Sequence, residues 1–322
     1  MRKAQIALKL AAGALVLYPV AVAAQQAAPG PAPDMAQLMA EANKVPDTAG
    51  DGPYPAMMEI DPRLPNYVIY RPADLAKVPA GKLGLFVWGN GGCANDGSSS
   101  RQHLAEIASY GYLVIAPGEW RSGPNAKTVA PPPPPRQPDA PLPPPATSAA
   151  DLTTALNWAL NPDSAYASRI DRQAVAVGGF SCGGVQAISI ASDPRIRTLV
   201  VQNSGLFAGS APAMPGMNVP KDTLRAIHTP VIYLQGGETD IAYANGKDDF
   251  ARIGHVPAVM VNIPTGHGGT YHQPMGGKAA GIVVDWLQWQ LRGDVGAART
   301  FVGENCRLCT DSGATIERKN LR

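Results

Sequence analysis

The chain has 322 residues, 45% of them hydrophobic, enough for one large α/β domain with a buried core and no obligatory second domain. Its formal charge of +2 includes Arg2, Lys3 and Lys9, and no acidic residue stands among the first 24. Without that leader the charge is +2 − 3 = −1, which leaves no basic surplus and excludes nucleic acid as the expected partner.

Those three basic residues precede an apolar run over residues 10 to 20 and small residues from 21 to 24, the pattern of a secretory signal peptide spanning 1–24 and cleaved after Ala24. The run is about half of the roughly 20 residues a membrane span requires. The expected product is therefore exported, periplasmic or extracellular, with no membrane span after cleavage. Cys93, Cys182, Cys306 and Cys309 form an even set, and in an oxidising compartment they are expected as two disulfides.

Residues 25–65 are rich in Ala, Pro and Gly and read as an extended surface arm with one short helix, over 35 to 45, that Asp34 could cap. From 66 to 322 extended apolar runs alternate with helical patterns. Strands are expected at 67 to 70, 83 to 88, 112 to 116, 174 to 177, 199 to 202, 231 to 234 and 258 to 263. Helices are expected at 101 to 110, 151 to 160, after Ser181, and at 277 to 291. This alternation predicts a mostly parallel sheet. A loop over 122–147 holds ten prolines between Pro131 and Pro145, a composition that favours extended polyproline conformations. It reads as an exposed spacer or, since it leaves the carboxyl end of a strand, as a wall of a ligand cleft. The chain ends in a Cys-x-x-Cys tail.

The sharpest local signal is residues 175 to 184, Val-Ala-Val-Gly-Gly-Phe-Ser-Cys-Gly-Gly, a strand running into Gly-x-Ser-x-Gly and then a helix. That is the pattern of a nucleophile elbow, whose serine projects above the sheet while the flanking glycines avoid collisions. Centring the motif on Cys182 would put Phe180 where the first glycine belongs, so Ser181 is the expected nucleophile. A serine needs a base and a group to orient that base, in the chain order Ser, acid, His. Of five histidines, His267 follows the last core strand in a glycine-rich loop; His272 is the runner-up. Asp240 stands just beyond the strand at 231 to 234 and is the expected acid, with Glu238 close by. Asp248 and Asp249 read as the solvated face of a following helix.

Acyl transfer also needs backbone N–H groups aimed at the developing oxyanion. Cys182, after the nucleophile, supplies one. The turn Gly89-Asn90-Gly91-Gly92-Cys93 is expected to supply the other from Gly91, with Gly92 next in line. Cys93 and Cys182 thus flank the two halves of the hole, suggesting a Cys93–Cys182 disulfide and, by remainder, a short Cys306–Cys309 bridge. Thr310 stands where haem attachment would need histidine, and no second cysteine pair has zinc spacing; no metal or cofactor is expected. Trp120 and Tyr271 lie on loops near the expected cleft, as packing residues or as stacking surfaces.

From residue 66 to 293 these motifs resemble the α/β-hydrolase superfamily, and most of all exported bacterial esterases of the dienelactone-hydrolase and polyester-hydrolase type. The resemblance implies an α/β-hydrolase fold of about eight strands with helices on both faces. It also implies a metal-independent acyl-enzyme mechanism on a small-molecule or polymeric ester, with residues 66–322 as the catalytic domain. The chain departs from the lipase pattern at Gly89-Asn90-Gly91-Gly92, where His-Gly-Gly-Gly would stand. A peptidase or amidase would use the same three side chains, and a silent binding protein would keep only the fold. Oligomeric state is not legible.

Overall fold

The computed structural model describes residues 35–128, 144–208 and 216–321. The expected signal peptide, the first part of the expected arm and most of the Pro-rich loop lie outside these residues. In chain order the elements are α1 (Met35–Lys44), β1 (Ala56–Glu59), β2 (Tyr67–Pro72), β3 (Leu83–Gly89), α2 (Arg101–Ser109), β4 (Tyr112–Pro117), α3 (Ala149–Leu160) and β5 (Ile170–Phe180). There follow α4 (Cys182–Ser189), β6 (Thr198–Gln202), β7 (Val231–Gln235), α5 (Tyr243–Arg252), β8 (Ala258–Asn262), α6 (Gly277–Arg292), α7 (Val295–Ala298) and β9 (Thr315–Lys319).

The strands form one sheet in the order β1-β2-β4-β3-β5-β6-β7-β8-β9. From β4 to β8 every pairing is parallel, while β1, β2 and β9 add antiparallel edges. Parallel strands need helical crossovers, which cover both faces and drive both faces apolar. β3 shows the result: Leu83, Leu85 and Val87 join one core with α3 and α4, and Phe86 and Trp88 join the other with α2 and α6. In α6, Ala279, Ala280, Val283, Trp286 and Leu287 are buried at helical spacing. Gly293 then ends the helix in the left-handed region at φ 68, where a residue without Cβ pays no steric penalty.

Two edges depart from expectation. The segment expected as a surface arm is built into the domain: β1 pairs with β2, and the Arg101 guanidinium, 2% exposed, donates to Asp47 Oδ1 at 2.7 Å and to the carbonyls of Ala42 and Val45 at 2.8 and 2.7 Å. Past the Cys306–Cys309 pair the tail returns to the sheet as β9, making nine strands instead of about eight. Among the described residues no helix is long and apolar enough to cross a membrane.

Candidate active site

β5 ends at Phe180 and α4 begins at Cys182, so Ser181 alone makes the turn, at φ 54 and ψ −118. Such a conformation costs a residue with a Cβ on the order of 1–3 kcal/mol and persists only when its surroundings enforce it. They do so here. The Ser181 N–H donates to Gln202 O at 3.0 Å, and the Ser181 carbonyl accepts from the Gly184 N–H at 2.9 Å and from Ser204 Oγ at 2.6 Å. The flanking glycines are sterically required: a Cβ on Gly183 would overlap the backbone of Gly89 in the paired turn, and one on Gly179 would overlap the backbone of Gly183.

His267 arrives from the loop after β8, and its ring lies against Phe180 with centroids 5.3 Å apart. His267 Nε2 is 3.0 Å from Ser181 Oγ, and His267 Nδ1 is 2.6 Å from Asp240 Oδ1. Asp240, whose side chain is fully buried, also accepts from the N–H groups of Ala242 at 2.9 Å and Gly236 at 3.0 Å. Burial alone would push its pKa up. The hydrogen bonds from His267, Ala242 and Gly236 outweigh that and hold it below the ordinary carboxylate value, so it stays an anion against which an imidazolium is stabilised.

Three side chains from three loops at the carboxyl edge of one sheet thus form a continuous hydrogen-bonded line from Oγ to carboxylate. No protein-family model matches this chain, and no curated protein matches it. What the site can do is therefore read from its own geometry. A serine hydroxyl within reach of an imidazole nitrogen, whose other nitrogen faces a buried carboxylate, can pass its proton to that nitrogen as it attacks an electrophilic carbon.

The turn after β3 lies beside the elbow, with Gly89 paired to Gly179 and Gly91 packed against the Phe180 ring. Cys182 is the first residue of α4 and Gly91 the first of a 3-10 turn, so neither N–H has an acceptor within its own helix. Cys93 and Cys182 are joined by a disulfide with Cα atoms 5.3 Å apart, and Cys306 and Cys309 by another at 4.8 Å. The first ties the two turns together. Ala146 and Thr147, at the described end of the Pro-rich loop, donate to the Cys93 carbonyl at 3.0 Å each.

Other candidates lie elsewhere. His272 sits near Ser99, Arg101 and Asp96. Asp249 is not on a solvated face: it is fully buried, accepts from Lys221 Nζ at 2.5 Å and from the Leu206 N–H at 2.8 Å, and burial raises its pKa to about 6. Tyr271 and Trp120 are buried packing residues, Tyr271 among Trp88, His103 and Phe180. Among the described residues no group of three His, Cys, Asp or Glu is arranged to hold a metal ion.

Asn203 was not singled out from the sequence. It follows β6 at φ 44, and its Nδ2 donates to Asp240 Oδ2 at 2.8 Å and to the Gly266 carbonyl at 3.1 Å, while its Oδ1 accepts from the Tyr271 hydroxyl. The available signal was an asparagine, tolerant of the left-handed region, at the end of a core strand on the ligand-binding edge.

A cavity of about 260 Å³ opens beside Ser181 and His267, walled by Phe207, Met217, Ile241 and Ala242, with the uncharged polar residues Asn203, Ser204 and Asn245 also on its lining. A larger hollow of 790 Å³ lies beside His255 and Trp289, at the amino end of β8. Size favours the second and chemistry the first; in open parallel sheets ligands bind at the carboxyl ends.

Proposed function

We propose that this chain is an exported serine hydrolase of the α/β-hydrolase superfamily that cleaves carboxylic esters through an acyl-enzyme. The single observation that carries the reading is the line Ser181 Oγ, His267 Nε2, His267 Nδ1, Asp240 Oδ1, at 3.0 and 2.6 Å, anchored on a strained turn at the sheet's carboxyl edge. The two disulfides and the leader-like first 24 residues support export.

In this mechanism Ser181 Oγ attacks the ester carbon as His267 Nε2 takes its proton, and Asp240 stabilises the resulting imidazolium. The oxyanion is met by the N–H groups of Cys182 and Gly91. Collapse of the tetrahedral intermediate breaks the bond to the alkoxy oxygen, which receives the proton from His267 and leaves as alcohol. Water, deprotonated by the same nitrogen, then releases the acid and restores Ser181.

Short-chain nitrophenyl esters and aminoacyl nitroanilides, assayed side by side, test this. Ester turnover should fall by about 10⁴-fold or more in Ser181→Ala and in His267→Ala. Turnover that survives Ser181→Ala in purified protein rules the mechanism out, and anilide hydrolysis outrunning ester hydrolysis reassigns the chain as a peptidase or amidase.

A further inference from the structure

Ile241 is 80% exposed, the most exposed large apolar side chain among the described residues. A lone exposed isoleucine is ordinary; its place is not. It directly follows Asp240 and walls the cavity that holds Ser181 and His267, together with half-buried Phe207 and buried Met217. Gly216, beside Met217, lies against Pro145 from the described end of the Pro-rich loop.

Among the described lining residues there is no Asp, Glu, Lys or Arg. The cation on the neighbouring helical turn, Lys221, is already paired with Asp248 at 2.8 Å and Asp249 at 2.5 Å. A charged substrate group in this cavity would lose part of its hydration and gain no counter-charge, which is unfavourable. The volume of about 260 Å³ falls under the roughly 300–1,000 Å³ of pockets that take drug-sized ligands, so the fitting group is short. The cavity is built by residues after β6 and β7, whereas the Gly91 turn is on the β3 side of Ser181. A carbonyl whose oxygen points toward the Gly91 turn therefore directs one of its substituents into the cavity.

Resting on the ester-hydrolase reading, we infer that the cavity selects esters with a short, uncharged, apolar substituent, and that Ile241, Phe207 and Met217 determine this specificity. Ile241 is the wall through which selectivity can be changed without disturbing the core.

The test compares nitrophenyl acetate, butyrate and hemisuccinate, together with methyl and butyl esters of one common acid, on the full chain and on Ile241→Lys and Phe207→Ala. The wild-type protein should prefer butyrate over hemisuccinate, or butyl over methyl ester, by about tenfold or more in kcat/KM. Ile241→Lys should shift the butyrate-to-hemisuccinate ratio toward the anion by about tenfold, and Phe207→Ala should reduce the preference for the apolar group. Indifference of every ratio to both variants overturns the inference. A fluorophosphonate probe separates the two levels: labelling at Ser181 with unselective turnover sinks the cavity proposal alone, and absence of labelling and turnover sinks both.

Discussion

Asn203 Nδ2 lies 2.8 Å from Asp240 Oδ2 and the same side chain accepts from Tyr271, so the carboxylate that faces His267 is itself held from behind. A hydrogen bond to a charged group contributes about 1.5–3 kcal/mol. Replacing Asn203 by Ala should lower kcat on a short ester by about 10- to 100-fold with a smaller change in KM. Asn203→Asp, which puts a second carboxylate against Asp240, should lower it further. Wild-type kcat in both variants, with unchanged thermal midpoints, would show that Asn203 does not position the acid.

The elbow stores strain that only glycine would avoid. At φ 54 and ψ −118, Ser181→Ala retains the Cβ and its penalty, whereas Ser181→Gly removes it. Both should be inactive, and Ser181→Gly should be the more stable by about 1–2 kcal/mol after the glycine's greater unfolded-state entropy is subtracted. Denaturant midpoints of the two variants measure the difference; an equal or lower midpoint for the glycine variant removes the claim of strain.

The Cys93–Cys182 bridge closes a loop with a sequence separation of 89. The chain-entropy account of such a loop gives about 4–5 kcal/mol. Cys93→Ala paired with Cys182→Ala should therefore lower stability by up to that amount and reduce kcat as well, because the bridge joins the two turns that carry the proposed oxyanion donors. The Cys306–Cys309 bridge closes a separation of only three and leads into β9, the edge strand four places from β5; replacing both cysteines by Ala should leave kcat within about twofold. Equal effects on kcat from the two pairs would dissociate the first bridge from the site.

Glu106, 4% exposed, accepts from the Asp51 N–H at 3.0 Å. Burial, and then the hydrogen-bonded Asp51 side chain, raise its pKa from 4.5 to about 8. The folded chain thus holds this proton more tightly than the unfolded chain. Its stabilising contribution is complete below about 4.5, declines as pH rises and is gone above about 8. Glu106→Gln keeps an acceptor for the Asp51 N–H without the charge. It should be close to neutral near pH 4 and more stable than wild type near pH 9, as read from urea midpoints; a wild-type advantage at the higher pH contradicts the assignment.

The central strands were legible, and so was the meeting of Ser181, Asp240 and His267 in one hydrogen-bonded line, because each rests on a local pattern. Runs such as 83 to 88 are apolar on both faces, and Gly-x-Ser-x-Gly at a strand-to-helix junction has a steric reason that Gly179 and Gly183 bear out. The edges were not legible. β9, Thr-Ile-Glu-Arg-Lys, is mostly exposed and charged, as a protected edge strand is, and so carries no apolar signature. β1 is four residues long and follows Pro55 in a segment whose composition suggests coil. Asn203 and Asp249 were missed or misread for a different reason. Their roles depend on partners 37 and 28 positions away, Asp240 and Lys221, which no local pattern specifies.

The most direct measurement is mass spectrometry of the protein quenched during turnover of a slowly deacylating ester. A covalent acyl group on the peptide containing Ser181, formed in wild type and abolished in Ser181→Ala, is the predicted result. Steady ester turnover with no acyl group on that peptide, or with the group on another residue, would contradict the account.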